Sequence, residues 1–184
     1  MITNAASGTN LHEIAPGIYR INTPAPIPGG EPFNFNQYLV ADDEPLLFHT
    51  APRAMFPLVA EAVGKVVPLD RLRHVAFSHV EADECGALND FLAAAPRATA
   101  ACSRVAAMVS VNDMALRPPR ALADGEALRT GRHAFQWIDA PHVPHGWDCG
   151  FLMERETRTL LCGDLFTQGG AGAVAVTEAD ILGP

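Results

Sequence analysis

In the stretch Arg73-His-Val-Ala-Phe-Ser-His79-Val-Glu81-Ala-Asp83-Glu84, a short apolar run ends in one imidazole and two carboxylates set at alternate positions. Alternate residues of an extended segment point the same way, so His79, Glu81 and Asp83 converge on one small volume. Such a cluster invites a metal ion. It also constrains the fold, because a strand must deliver these side chains and further donors must come from loops at neighbouring strand ends.

The rest of the chain supplies such strands. Leu11 to Asn22 carries Ile14, Ile18 and Ile21 around a Pro16-Gly17 break, Phe33 to Val40 is aromatic and β-branched, and Leu46 to Thr50 is a short apolar run. Together they predict an N-terminal β-meander, with the Pro/Gly-rich piece 24–30 as a surface loop. From Pro52 to Val67 the apolar positions Met55, Leu58, Val59, Val63 and Val66 recur at helical spacing, with a proline near the start where its missing N–H is harmless. His74 to Ser78 then reads as a buried strand, Cys85 to Ala95 as a helix, Ala98 to Cys102 as a strand and Ser103 to Met114 as a helix. Past Arg117-Pro-Pro-Arg120 the pattern returns to strands over 127–130, 134–139, 149–154 and 159–162. Two strand-rich halves, each with helices, predict two packed sheets covered by helices on their outer faces. Thr177-Glu-Ala-Asp180 reads as a capping box opening a helix four residues before the last position, which predicts an abbreviated C-terminal part.

Composition excludes several classes. A chain of 184 residues with 48% hydrophobic side chains can bury a real core as one domain. Its 13 basic and 21 acidic residues give a net charge of −8 and no Lys/Arg cluster, so neither nucleic acid nor an anionic membrane is an expected partner. The N-terminus lacks a basic segment followed by an apolar one and no apolar run reaches bilayer-spanning length, so a cytoplasmic protein is expected. Cys85, Cys102, Cys149 and Cys162 form no Cys-x-x-Cys pair and read as reduced core thiols. Trp147, Phe151 and Phe166 read as core or pocket wall.

Two later spots carry donor-type residues just beyond strands: Pro141-His142-Val-Pro-His145-Gly-Trp-Asp148 and Leu160-Leu-Cys-Gly-Asp164. His79, Glu81 and His145 would give one ion two imidazoles and a carboxylate, the face associated with non-haem iron. Asp83 and Asp164 would serve a second ion, with Asp164 able to bridge two ions about 3.5–4 Å apart. His142 competes with His145 for the imidazole role, and the spacing to Asp164 favours His145. Glu84, His142 and Asp148 are then candidates for supporting the ligands rather than binding the ion.

His79-x-Glu81-x-Asp83, a later His, and Asp164 eighteen residues beyond His145 in Leu-Cys-Gly-Asp-Leu-Phe resemble the metallo-β-lactamase fold. The resemblance spans roughly residues 11 to 166 and is closest to the diiron branch, which contains flavodiiron proteins and stand-alone oxygen-binding di-iron proteins. It implies an α/β fold, an αββα sandwich, with residues 1–184 as a single metallo-β-lactamase-like domain. The hydrolytic zinc branch carries a His where this chain has Glu81, and a ligand His where it has Glu84. The family's last ligand, a His well after the bridging Asp, has no counterpart, since no His follows His145. Nothing resembles the phosphate loop of the flavodoxin-like domain that flavodiiron enzymes append, and His49 stands where many relatives have an Asp, so the resemblance makes His49 a further candidate for supporting the ligands.

The resemblance implies two iron ions, with manganese or zinc as alternatives, and no FMN in this chain. It implies O2 or NO as ligand, a redox protein as electron donor, and head-to-tail pairing into a homodimer. The expected function is a non-haem diiron protein that binds O2 as a sensor, carrier or slow O2/NO reductase. The alternatives are a zinc-dependent hydrolase of the same superfamily and an interaction module with a half-empty site.

Overall fold

The structure, a computed structural model, describes residues 1–25, 29–30 and 33–167. The N-terminal meander runs through β1 (Ile2–Asn4), β2 (Thr9–Ala15), β3 (Ile18–Ala25), β4 (Phe33–Val40) and β5 (Leu46–Phe48), each antiparallel to the one before. The chain then crosses through helix α1 (Phe56–Gly64) to β6 (His74–Ala76), and through α2 (Ala82–Cys85) and α3 (Leu88–Ala94) to β7 (Thr99–Ser103). These crossovers make β5, β6 and β7 parallel. A helical stretch follows, opened by α4 (Arg104–Ala106), widened to a π turn over Ala107–Val111 and closed by α5 (Asn112–Met114). It leads to β8 (Arg120–Leu122), parallel to β7, completing an eight-stranded sheet in sequential order.

The second half of the chain forms a four-stranded antiparallel sheet of β9 (Ala127–Arg129), β10 (Ala134–Asp139), β11 (Gly150–Glu154) and β12 (Thr159–Leu161), ordered β12-β11-β10-β9. Two cores result from the two faces of the large sheet. On one face Leu39, Leu47 and Val75 meet the apolar stripes of the helices, Val59, Ala62 and Val63 from α1 and Leu88, Phe91 and Leu92 from α3, at the i, i+3, i+4 spacing of a buried helix face. On the other, Ile18, Val40, Phe48 and Ala76 pack against Leu128, Phe135, Trp137 and Leu152 of the small sheet. Trp137, wholly buried there, needs Gly150 beside it, because a Cβ on that residue would collide with the indole ring.

The layers are therefore helices, large sheet, small sheet, and among the described residues no helix covers the outer face of the small sheet. The helix expected from Thr177 lies outside the described residues. Most expected elements stand where the residue pattern put them, with two kinds of difference. The helix expected over 52–67 is a 3₁₀ turn (Arg53–Met55) followed by α1, and the one expected over 85–95 divides into α2 and α3. The three-residue strands β1 and β8 were not expected at all. No helix among the described residues is long and apolar enough to cross a membrane.

Candidate metal centre

Parallel strands all present their carboxyl ends to the same side, where loops can converge on a ligand. Here His49 follows β5 directly and Ser78-His79 lie just beyond β6, and the two sheets are tied together beside them. The Gly150 N–H donates to the Ser78 carbonyl at 2.9 Å, and the Val80 N–H to the Asp148 carboxylate at 2.9 Å. Through these bonds the loop after β10, carrying His145, and the turn after β12, carrying Asp164, come to lie against the loop after β6.

The result is a ring of alternating nitrogen and oxygen donors. His79 Nε2 is 3.1 Å from Glu81 Oε2 and 3.6 Å from Asp164 Oδ2, and His145 Nε2 is 3.1 Å from Asp164 Oδ2 and 3.6 Å from Glu81 Oε2. Donor atoms arranged tetrahedrally about 2.1 Å from one ion stand about 3.4 Å apart. The four side chains thus suit a single cation in spacing and in chemistry. The imidazole rings meet edge to face at 4.5 Å; His79 is buried, while His145 and Glu81 face solvent.

The tautomer of His79 follows from the hydrogen bonds behind it. The Ser78 N–H donates to His49 Nε2 at 3.3 Å, so that nitrogen carries a lone pair. The Ser78 hydroxyl, 3.0 Å from the same atom, therefore donates to it as well and accepts from His79 Nδ1 at 2.9 Å. With its proton on Nδ1, His79 would present its Nε2 lone pair to a cation held beside Glu81 and Asp164, as a metal ligand must. Burial, and then the nearby His79, hold the His49 pKa down to about 3, so His49 is neutral at physiological pH. Gly163 lets the turn approach this relay, since a Cβ there would stand 2.6 Å from Ser78 Oγ, and its φ of +52° suits a residue without one.

A second group shares Glu81 with the first. Glu81, Asp83 and Glu84 each offer an oxygen within 4.8 Å of the others. Asp83 thus stands with Glu81 and Glu84, while Asp164 stands with the two imidazoles. Glu84 lies on α2, only 2% exposed, with its Oε2 3.8 Å from His79 Nε2. Burial first, then its hydrogen bond and charge repulsion with Asp83, and then Asp164 and Glu81, push its pKa up to about 10.

The remaining candidates fall outside both groups. His142 is exposed, with φ +65°, and its N–H bonds the Gly146 carbonyl; it contributes no donor atom. Asp148 is committed to the Val80 N–H, and His49 to Ser78. Burial raises the Cys85 and Cys102 thiols to about 12 and Cys149 to about 11, so none offers a thiolate at neutral pH. Trp147 and Phe166 are exposed rather than in the core; only Phe151 is buried. Sequence reasoning passed over Ser78, whose signal was its place between the strand and the first ligand.

Comparison with known proteins adds family to geometry. The model of the ODP family of beta lactamases matches residues 33–180. The diflavin flavoprotein A 2 of Nostoc sp. is 26% identical over 135 residues, which are 72% of this chain and 23% of that protein. Among solved structures, the Flv1 flavodiiron core of Synechocystis sp. superposes with a TM-score of 0.79 at 22% identity, covering 93% of this chain and 45% of that one. Rubredoxin oxygen:oxidoreductase of Desulfovibrio gigas gives 0.78 at 20% identity, covering 89% and 43%. The chain thus spans about a quarter of the length of the curated relatives it matches, and its fold is the metallo-β-lactamase-like core of flavodiiron proteins, of which the described residues supply one helix layer and both sheets.

Proposed function

Because this chain belongs to the ODP family of beta lactamases, we propose that it is a non-haem diiron protein of the cytoplasm that binds O2 or NO, as a sensor, a carrier or a slow reductase. In this reading it acts as a single metallo-β-lactamase-like domain, with a separate redox protein as electron donor and a second copy of the chain as pairing partner. The observation that carries the proposal is the ring of His79, Glu81, His145 and Asp164, all within 4.8 Å of one another. A carboxylate at position 81, where the hydrolytic branch has a third imidazole, makes the donor set richer in hard oxygen and suits iron or manganese better than zinc. The diatomic ligand enters by analogy with the Desulfovibrio relative, whose name contains oxygen, and the two irons with the Synechocystis core, which is called flavodiiron.

His79, Glu81, His145 and Asp164 would hold the first ion, and Asp164 would reach toward Asp83 at the second. Irons bound there would supply one-electron redox chemistry on a diatomic gas. The protein's own part is to fix the ligands before the metal arrives. Ser78 and His49 set the His79 tautomer, Asp148 pins the backbone between His79 and Glu81, and the exposure of His145 leaves one side of the ring open to a small ligand.

Loading the metal-free protein with Fe(II) under argon and then admitting O2 or NO tests the proposal. New visible absorption and a Mössbauer signature of iron in nitrogen and oxygen ligation are expected, both lost in Glu81→Ala. No spectral response to either gas, with zinc bound in preference and esters hydrolysed, would overturn it in favour of a hydrolase.

A further inference from the structure

We propose that His49 is a positioning residue that supports His79 without bringing a charge behind it, and so raises the reduction potential of an iron held in the donor ring. The inference rests on the proposed function and deepens it, because it chooses among the roles named there. Its own support is the direction of three hydrogen bonds. The Ser78 N–H, which can only donate, points at His49 Nε2. That nitrogen therefore carries no proton, and the imidazole is the neutral form protonated on Nδ1. The Ser78 hydroxyl gives its proton to the same nitrogen and its lone pair to His79 Nδ1. Every link of this line behind the ligand is uncharged.

The fold holds His49 in place against its backbone preference. Its φ of +66° lies in the left-handed region, which a side chain occupies only when its surroundings impose it. Its N–H is bonded to the Ala76 carbonyl at 2.8 Å, and its ring stacks on that of the wholly buried Phe48 at 4.3 Å. His49 itself is only 5% exposed, so bulk water does not stand in for its bond to Ser78. Charge then decides what this placement does. A carboxylate behind a ligating imidazole pulls on its N–H with a full negative charge and makes the ligand more basic, which favours the more oxidised ion. A neutral imidazole acting through a hydroxyl fixes the same tautomer without that charge. His49 thereby biases an iron in the ring toward its reduced state, which differs from the oxidised one by a single electron, and no proton leaves the line in the exchange. An ion that keeps its electrons is a poor reductant of a gas, so the neutral line favours a sensor or carrier over a reductase.

The test reads the protons first and the potential second. In the metal-free protein, nitrogen-15 chemical shifts of the imidazoles should show His49 protonated on Nδ1 alone at neutral pH; a proton on its Nε2 would overturn the inference. The iron-loaded chain is then titrated potentiometrically with redox mediators, followed by visible absorption, beside His49→Glu and His49→Gln, a pair alike in size that differ in charge. His49→Glu should lower the potential by at least about 59 mV, a tenfold change in the ratio of reduced to oxidised iron for one electron. His49→Gln, a neutral acceptor, should move it by less than half as much. If the left-handed backbone rejects these longer chains, His49→Asp and His49→Asn form the same charged and neutral pair on side chains that accept it. Equal potentials in the charged and neutral variants would overturn the role of His49 and leave iron in the ring. A wild-type chain that takes up no iron would overturn the proposed function, and this inference with it.

Discussion

At the residue scale the centre depends on atoms whose roles differ sharply within a few positions. His145 and His142 are three residues apart, yet only His145 places a nitrogen in the donor ring. Glu81→Ala and His145→Ala should therefore each release most of the bound metal, whereas His142→Ala should retain it, as counted by metal per chain after gel filtration. Equal retention in all three would refute the assignment. Ser78 touches no ion in this scheme but sets the proton of His79. Ser78→Ala should weaken the first ion's binding about 10- to 100-fold, the usual loss when a ligand's supporting partner is removed, measured by competition with a chelator of known affinity. Unchanged affinity would mean that His79 keeps its orientation without the hydroxyl.

The elements show what a sequence reveals about itself and what it conceals. Phe33 to Val40 was legible because eight residues of alternating and β-branched character have one comfortable conformation, and β4 occupies that range. His79 and Glu81 stand together just past a strand's end as their spacing suggested, but the extended segment expected to carry Asp83 with them bends into α2, so Asp83 sits on a helix and groups with Glu81 and Glu84 instead. By contrast β1 and β8 have three residues each, too few for any period to show, and exist because neighbours offer them an edge. The division of the 85–95 helix into α2 and α3 falls at Gly86-Ala87, a break that propensity alone does not signal. The burial of Glu84 was not legible because it is a product of how α2 packs, and helix position alone does not reveal it. Strand pairing also carries a prediction. Gly150 opens β11 against Trp137 of β10, so Gly150→Ala must push the indole or the strand aside. A destabilisation of about 1–3 kcal/mol is expected in denaturant unfolding, and a loss of metal affinity should accompany it because the Gly150 N–H ties Ser78 to the small sheet.

For the whole molecule, stability and metal binding should be linked through the two buried titratable groups of the site. Glu84 has its folded pKa raised from 4.5 to about 10, so its contribution is fully present below pH 4.5 and is lost as pH rises toward 10. His49 has its folded pKa lowered from 6.5 to about 3, so its contribution is present above pH 6.5 and is lost as pH falls toward 3. Between pH 4.5 and 6.5 the two slopes oppose each other. The metal-free protein should accordingly show a plateau of Tm in that window, a fall on the alkaline side that Glu84→Gln flattens, and a fall on the acid side that it does not. A cation held beside Glu84 would favour its ionised form and stabilise the folded state by mass action, so the alkaline fall should shrink in the loaded protein. An alkaline slope unchanged by either treatment would place its origin elsewhere.

The central claim is that one ring of donors, drawn from the ends of both sheets, holds a redox-active metal. Elemental analysis of the protein purified anaerobically tests it most directly, set beside the same preparation of the Glu81→Ala variant. The account predicts iron bound to the native chain and largely absent from the variant; zinc in place of iron, or the same metal content in both, would contradict it.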